Sequence, residues 1–244
     1  MPSGDTGVNA NDSGTSANDS ASSDSASSGA DSGSTSGSDA SASGVRPLGD
    51  FRDGIATYYD ATGAGNCSFP ASPGDLLVAA MNTPEWNNSA VCGSCAEVMG
   101  PNGSVTVRIV DRCPECAAGH LDLSQQAFAR IAPIAAGRVN TRWRFVSCDV
   151  RGAISLHWKD GTNPYWAAIQ VRDHRLAVSA VAIRASSGGM FRALSRESYN
   201  YFIGTNLGPG PFDVRITAQD GQEITESNVP LGDNRLVMGT QQFR

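Results

Sequence analysis

CGSCAEVMGPNGSVTVRIVDRCPEC, residues 92–116, is the stretch of sequence that decides the fold. It begins and ends with a Cys-x-x-Cys pair, and 17 residues separate the two pairs. This spacing is typical of a four-thiolate zinc site, but it is equally compatible with a disulfide framework. Between the pairs, a tight-turn signal at Asn102-Gly103 precedes SVTVRIV (104–110), which predicts a β-strand. The remaining sequence has to distinguish a metal site, a redox pair and structural disulfides.

The other two cysteines favour disulfides. A zinc site built from the two pairs would leave Cys67 and Cys148 over, whereas six cysteines form three bridges with none unpaired. A redox site of the thioredoxin type needs a βαβ pattern, which this sequence lacks. Zinc and redox chemistry therefore stay as less favoured alternatives, and the sequence alone leaves the pairing of the six cysteines open.

The N-terminal segment differs in composition from the remaining chain. Residues 1–44 contain fifteen Ser and six Asp but no Lys or Arg. Such a segment cannot bury enough apolar surface to offset the entropy of ordering it, so it predicts a flexible linker. Residues 45–244 carry 18 acidic and 18 basic side chains. Because this part is roughly neutral, we expect no electrostatic binding of nucleic acid or anionic lipid.

The sequence also bears on the location of the protein. No apolar run is long enough to predict a membrane span, and MPSGDTG at the start lacks the charged and apolar regions of a signal peptide. We therefore expect that the native N-terminus was removed. The acidic linker resembles a tether, which predicts a secreted or extracellular monomer that is held away from a cell surface.

Short runs of apolar or alternating residues, separated by Gly, Pro and Asn, predict two β domains over residues 45–150 and 151–244. In the first domain the predicted strands are GIATYY (54–59), DLLVAAM (75–81), SVTVRIV (104–110) and RWRFVSC (142–148). One helix is predicted over residues 124–131, with Ser124 as its N-cap. In the second domain SLHW, WAAIQVR, LAVSAVAIR, MFRAL, YNYFI and FDVRITA predict a small β-sandwich.

Several segments, in this order, carry a family resemblance. ATYYD (56–60), CGSC (92–95), VRIVDRCPEC (107–116), GHLDLSQQAF (119–128) and WRFVSC (143–148) resemble the six-stranded double-psi β-barrel of expansins, which barwin-like proteins and family-45 glycoside hydrolases share. PYWAAIQVRDH (164–174), ESYNYFIGTNLG (197–208) and GPFDVRITAQDGQ (210–222) resemble the second expansin domain, an immunoglobulin-like β-sandwich that is a family-63-type carbohydrate-binding module. Over about residues 50–244, the chain is therefore similar to bacterial expansins.

The resemblance implies a pairing for the cysteines. The expected disulfides are Cys67–Cys92, Cys95–Cys148 and Cys113–Cys116. The first two close long loops and would each stabilise the fold by about 3–4 kcal/mol through the entropy of the unfolded chain.

The resemblance also implies a polysaccharide groove on the barrel. Asp122 matches the acid that expansins share with family-45 hydrolases, and Thr57, Tyr59 and Asp111 match other groove positions. Bacterial expansins carry a tyrosine two residues beyond the first aspartate, where this chain has Cys113. Structural roles are the alternatives: Asp122 as a hydrogen-bond acceptor at a helix terminus, Asp111 as the anchor of the following loop, and Tyr59 as a core residue.

A second carboxylate decides between binding and hydrolysis. Inverting hydrolysis of a glycosidic bond needs an acid and a base about 6.5–9.5 Å apart. By resemblance the base would fall on Ala61, but the nearby carboxylate is Asp60, one residue earlier. Neighbouring residues of a strand point to opposite faces, so we expect no hydrolysis unless a bulge turns Asp60 into the groove.

Three aromatic residues of the second domain match the flat binding platform of bacterial expansins. These are Tyr165, Trp166 and Tyr199, and Lys159 matches a cation beside them; Tyr165 stands where the family pattern has tryptophan. Planar rings suit the apolar faces of β-1,4-linked glucose. The alternative is that Trp166, the first residue of WAAIQV, belongs to the core.

Together these features predict a non-hydrolytic protein that loosens cell walls. The resemblance implies that it binds cellulose, and also hemicellulose or peptidoglycan, and that it disrupts non-covalent contacts between glucan chains. No metal or other cofactor is expected. Two other classes stay open: an enzyme, either a family-45-like endoglucanase or a peptidoglycan lytic transglycosylase, and a pure wall-binding module.

Overall fold

A computed structural model describes residues 44–244, and β-strands dominate this part of the chain. The predicted linker lies outside the described residues, apart from Gly44. The first six strands are β1 (Arg52–Tyr59), β2 (Val78–Asn82), β3 (Cys95–Gly100), β4 (Gly103–Cys113), β5 (His120–Ser124) and β6 (Val139–Val146). They close into a barrel in the order β1-β5-β2-β4-β3-β6. The pairs β1–β5 and β2–β4 are parallel and the other four pairs are antiparallel.

The barrel core follows from the alternation along its strands. In β4, Val105, Val107 and Ile109 point inward and are buried, whereas the residues between them are more exposed. The helix α1 (Gln125–Ile131) packs Phe128 and Ile131 into the same core. Its N-terminus lies where the sequence predicts it, because the Ser124 hydroxyl accepts a hydrogen bond from the backbone N–H of Ala127. Two short 3₁₀ turns, Thr83–Glu85 and Ile134–Ala136, complete the barrel.

The following nine strands form two sheets. They are β7 (Ser155–Trp158), β8 (Trp166–Arg172), β9 (Val178–Ala185), β10 (Arg192–Ala193), β11 (Ser195–Arg196), β12 (Phe202–Thr205), β13 (Phe212–Ala218), β14 (Glu223–Val229) and β15 (Leu236–Met238). One sheet has the order β10-β9-β13-β14 and the other the order β11-β12-β8-β7-β15. Alternate residues of both sheets, such as Trp158, Ile169 and Val214, meet in one buried core, which makes this part a β-sandwich.

Three disulfides join the cysteines in the pairs that the resemblance implies, Cys67–Cys92, Cys95–Cys148 and Cys113–Cys116. Because the disulfides use all six cysteines, the zinc alternative is wrong. Within residues 44–244, α1 connects β5 to β6, which are not neighbours in the barrel, so the βαβ unit of a thioredoxin-type redox site is absent. The first two bridges close loops of 25 and 53 residues. Each is therefore expected to stabilise the fold by about 3–4 kcal/mol.

Barrel and sandwich belong to one compact unit of the chain, and the predicted domain boundary near residue 150 stays a prediction. Val146 ends β6 before the predicted strand end, because the chain leaves the barrel and the Cys148 N–H bonds to the carbonyl of Arg175. The second predicted strand begins only at Val78, since residues before it form a turn in which Asp75 N–H bonds to Ser72. Among residues 44–244, no helix has the length and apolar character needed to cross a membrane.

Candidate functional site

A row of paired residues crosses four neighbouring strands of the barrel. Thr57 of β1 pairs with Asp122 of β5, Asp122 pairs with Ala80 of β2, and Ala80 pairs with Asp111 of β4. Strands lie about 4.8 Å apart, so the row extends over roughly 15 Å. Paired residues point to the same face of a sheet, so the carboxyl groups of Asp122 and Asp111 lie on either side of the small Ala80. We call this row the candidate groove.

Asp122 ends a short chain of hydrogen bonds. The hydroxyl of Thr57 donates to Oδ1 of Asp122 over 2.5 Å, and the same hydroxyl lies 2.9 Å from Nε2 of His120. Because the Thr57 proton is directed at the carboxylate, His120 donates from Nε2 to the Thr57 oxygen. His120 is not among the predicted groove residues, but it begins β5 and is half-buried. Its signal was the His-x-Asp pattern, which places both side chains on one face of a strand.

Burial is the largest influence on the pKa values of Asp122 and His120. Burial raises the pKa of Asp122, and the negative charges of Glu115 and Asp111 raise it further. The hydrogen bond from Thr57 and the interaction with His120 lower it and thus oppose this shift. Burial also lowers the pKa of His120, and Arg138 adds to this effect. Both residues are therefore shifted toward their neutral forms. A carboxyl group of this kind donates a hydrogen bond when it is protonated and accepts one when it is ionised.

Replacing Thr57 with valine is expected to raise the pKa of Asp122 further. The Thr57 hydroxyl stabilises the ionised carboxylate by donating to it, and valine keeps the shape of the side chain without the donor. Titration of the Asp122 carboxyl carbon by NMR measures the change, with Asp122→Asn to assign the signal. Thr106→Val, at an exposed position of β4, is the matched control and should leave the titration midpoint unchanged. A midpoint that falls in Thr57→Val would contradict this hydrogen-bond assignment.

Asp111 anchors the loop at one end of the groove. Its Oδ1 accepts hydrogen bonds from the backbone N–H groups of Asn66, over 2.7 Å, and Arg112, over 2.8 Å. Gly65 lets the loop approach this closely, since a Cβ atom there would lie 2.4 Å from Cγ of Asp111. The anchoring alternative for Asp111 therefore holds in the structure, and a role of the same carboxylate in binding stays a prediction.

Tyr59 lies at the edge of the candidate groove, half-buried against Ala80, Cys113 and Cys116. Its hydroxyl group is buried and has no hydrogen-bond partner within residues 44–244. Burial, together with the negative charges of Asp111 and Asp122, raises the pKa of this hydroxyl, so it stays protonated. Tyr59 is thus partly a packing residue, as one of the alternatives proposes.

Asp60 follows the end of β1 and is exposed. Its Oδ1 accepts a hydrogen bond of 2.8 Å from the side-chain amide of Gln125, the first residue of α1. The backbone N–H of Ala61 bonds to the carbonyl of Tyr59, so the chain turns at Asp60, and the carboxylate contacts the start of the helix rather than the paired row of the groove. The charges that act on the pKa of Asp122 are those of His120, Glu115 and Asp111, and Asp60 is not among them.

Tyr165 and Trp166 lie at the turn where β8 begins, Tyr165 exposed and Trp166 half-buried. The side-chain oxygen of Asn163 accepts hydrogen bonds from both backbone N–H groups, over 2.9 Å and 3.2 Å, which bends the chain before the strand. Tyr165 is 77% exposed. The next residue, Ala167, belongs to the sandwich core, so Trp166 points to the outer face and the core alternative for it is wrong.

The Tyr199 ring lies 5.9 Å from the ring of Tyr201, whose hydroxyl is 2.9 Å from Nδ1 of His157 on the outer face of β7. Tyr199 and Lys159 therefore lie on the same side of the five-stranded sheet. Tyr199 precedes β12, whose last residue, Thr205, pairs with Trp166, so the Tyr199 and Trp166 rings lie at opposite ends of that strand. At about 3.3 Å per residue, this separates them by more than roughly 10 Å. Lys159 continues the outer-face alternation of β7. We call Tyr165, Trp166 and Tyr199 the candidate platform.

The fold and the site define a barrel-plus-sandwich β protein with a carboxyl-lined groove and a set of fully or partly exposed aromatic rings. A family model described as lytic transglycolase matches residues 78–143. Expansin-YoaJ of Bacillus subtilis (strain 168) is 34% identical over 183 residues, which cover 73% of this chain and 78% of the relative. Expansin-like protein 1 of Dictyostelium discoideum is 34% identical over 181 residues, and this match covers 69% of this chain but 63% of the relative's length.

A solved structure agrees with these matches. The crystal structure of an apo expansin from Clavibacter michiganensis superposes with a TM-score of 0.75 at 30% identity, covering 80% of this chain and 98% of the other. An aspartate-to-asparagine mutant of that expansin, solved in complex with cellohexaose, gives the same TM-score and coverage at 29% identity. The chain belongs to the expansin family, and its barrel is the double-psi β-barrel of that family.

Proposed function

We propose that this protein binds cellulose and related wall polysaccharides and loosens them without hydrolysis. The observation that carries the proposal is the position of Asp122: it lies in the paired row of strands, while Asp60, the candidate base, lies beyond the end of β1 and is bound to Gln125. Asp122 is able to exchange hydrogen bonds with sugar hydroxyls. Asp111 lies on the same face, but its Oδ1 is bound to two backbone N–H groups, so the free opposed base of an inverting hydrolase is missing. The complex of a related expansin with cellohexaose supports a glucan as ligand.

The proposed action is the exchange of non-covalent contacts. The candidate platform binds the apolar faces of glucose rings, and the candidate groove offers polar groups to their hydroxyls. Each contact that the protein makes with one chain replaces a contact between neighbouring chains of the wall. Two weak sites on the same polymer gain affinity through effective concentration when their geometry matches the chain. We further propose a secreted protein that acts on walls outside the cell, because disulfides persist in oxidising compartments.

Cellulose paper strips under constant load test this function. We expect the protein to increase the extension rate of the strips while the release of reducing sugar stays at the level of a buffer control. The same incubation with soluble glucan should leave the polymer length unchanged. Extension that rises in proportion to released sugar would contradict the non-hydrolytic mechanism.

Lytic cleavage is the second candidate function. It is favoured by the match of residues 78–143 to the lytic transglycolase family model and by Asp111, which lies on the same face as Asp122. Two strand spacings place the two backbones about 10 Å apart. Asp111 is already bound to two backbone N–H groups, which favours a structural role. Release of soluble muropeptides from peptidoglycan, lost in Asp111→Asn, would support this candidate.

A further inference from the structure

A crevice of about 340 Å³ lies between the candidate groove and the candidate platform. We call it the junction crevice. Its lining residues are Gly65, Asn66, Ser68, Arg112, Ser198 and Tyr199. Its lining residue Asn66 donates its backbone N–H to Asp111 of the groove, and Tyr199 is one of the three platform rings. The crevice therefore lies where a glucan chain would pass from one binding surface to the other. Its volume is at the lower end of the range of about 300–1,000 Å³ for ligand pockets.

Hydrogen bonds between barrel and sandwich fix the walls of this crevice. Next to Tyr199, the carbonyl of Glu197 accepts from the hydroxyl of Ser89, over 2.7 Å, and the carbonyl of Ser198 accepts from the indole N–H of Trp86, over 3.3 Å. Beneath it, the side-chain amide of Gln170 donates to the carbonyl of Cys67 over 2.9 Å. The crevice is thus formed before any ligand arrives, which removes an ordering cost from binding.

Arg112 is the residue of the crevice whose bonding is incomplete. It is half-buried near the end of β4, and its Nε is buried without a hydrogen-bond partner within residues 44–244. A buried donor without a partner costs about 1–3 kcal/mol. Cys113, which replaces the tyrosine of the family pattern, is 4% exposed and bridged to Cys116, so it offers no side chain to a sugar. This end of β4 therefore reaches the crevice through Arg112.

We propose that Arg112 is a sugar-binding residue that determines how strongly the protein holds glucan chains extending from the groove to the platform. This inference rests on the proposed function. A guanidinium group is a planar fork of N–H donors and pairs with two neighbouring oxygen atoms at once. Neighbouring hydroxyl oxygens of a sugar ring match this fork, and the Tyr199 ring across the crevice supports the face of the same sugar.

The length of the bound oligosaccharide distinguishes a sugar-binding role of Arg112 from a structural role. Isothermal titration calorimetry with cellotriose and cellohexaose compares the wild type with Arg112→Ala, Arg112→Lys and Arg130→Ala. Cellotriose is short enough for one surface to hold it, whereas cellohexaose reaches across the crevice. We expect Arg112→Ala to weaken cellohexaose about tenfold, about 1.4 kcal/mol, and to leave cellotriose within about twofold. Arg112→Lys keeps the charge but loses the fork, so it should lose most of the same affinity. Arg130, exposed in the last turn of α1, is the matched control.

The outcomes distinguish this inference from the proposed function. Equal affinity of wild type and Arg112→Ala for cellohexaose, or an equal loss for both oligomers, would overturn the role of Arg112 while glucan binding stands. A wild type that binds neither oligomer would overturn the proposed function and this inference with it. A double-mutant cycle with Tyr199→Ala adds a second measurement, since two residues on one bound chain should show non-additive losses. Should Arg112→Ala fail to fold by circular dichroism, Arg112→Lys carries the same comparison.

Discussion

Replacing Asp122 with asparagine is expected to reduce the extension of cellulose paper roughly 10- to 100-fold. Hydrogen bonds to charged groups contribute about 1.5–3 kcal/mol, and each 1.4 kcal/mol corresponds to a factor of ten. Asparagine keeps the shape of the side chain, so the hydrogen bond with Thr57 is able to form through the amide oxygen. What is lost is the ability of one group to accept a hydrogen bond as a carboxylate and to donate one as an acid. Binding to cellulose through the platform should change little.

Asp60→Asn is the matched control for this experiment. Asp60 is an exposed carboxylate near the same end of the barrel, but its contact is Gln125 and not the groove. Wild-type extension in Asp60→Asn, with loss in Asp122→Asn at equal bound protein, is the expected pair of results. Loss in both variants, together with loss of released sugar, would indicate a hydrolytic pair of carboxylates. A wild type that saturates cellulose without extending it would instead indicate a pure wall-binding module.

The strands that fill the core were the predictable part of the fold. β8 and β13 agree with their predicted ranges because continuous apolar or strictly alternating runs, bounded by turn residues, define them. Five strands are absent from the sequence prediction: β3, β5, β11, β14 and β15. β11 has two residues, and β14, EITESNV, carries polar residues because it lies at a sheet edge. Tertiary pairing rather than local pattern makes these segments extended.

The sequence predicted those site residues that their type and the family resemblance identify. It did not predict the features of the site that depend on contacts between residues distant in sequence. The parallel pairing of β1 with β5 brings Thr57 beside Asp122 across 65 residues of sequence, and no local pattern encodes that register. For the same reason the role of His120 was missed. The junction crevice depends on hydrogen bonds between residues more than 100 positions apart, such as Ser89 and Glu197. The resemblance to expansins supplied the disulfide pairs, which composition and spacing leave open.

Removing the rings of the candidate platform is expected to abolish binding to crystalline cellulose. Exposed aromatic side chains at the centre of a binding surface each contribute about 2 kcal/mol or more, so one alanine substitution should weaken binding roughly 30-fold. Tyr165→Ala is the cleanest variant, because the ring is 77% exposed and its loss should change the stability of the fold by less than about 0.5 kcal/mol. Trp166→Ala and Tyr199→Ala should weaken binding as well. Depletion of protein from a cellulose suspension, read beside the melting temperature, measures both effects.

Met190→Ala distinguishes specific cellulose binding by the platform rings from non-specific adsorption through exposed apolar side chains. Met190 is a large apolar side chain of the same sandwich and is 93% exposed, more than Tyr165. If cellulose were held by any exposed apolar surface, loss of Met190 would weaken binding about as much as loss of Tyr165. We expect wild-type binding in Met190→Ala, because a flexible thioether lacks the flat face that stacks on a glucose ring. Unchanged binding in Tyr165→Ala, Trp166→Ala and Tyr199→Ala together would place the cellulose contact elsewhere. The groove and Arg112 would then have to hold the chain without help from the sandwich.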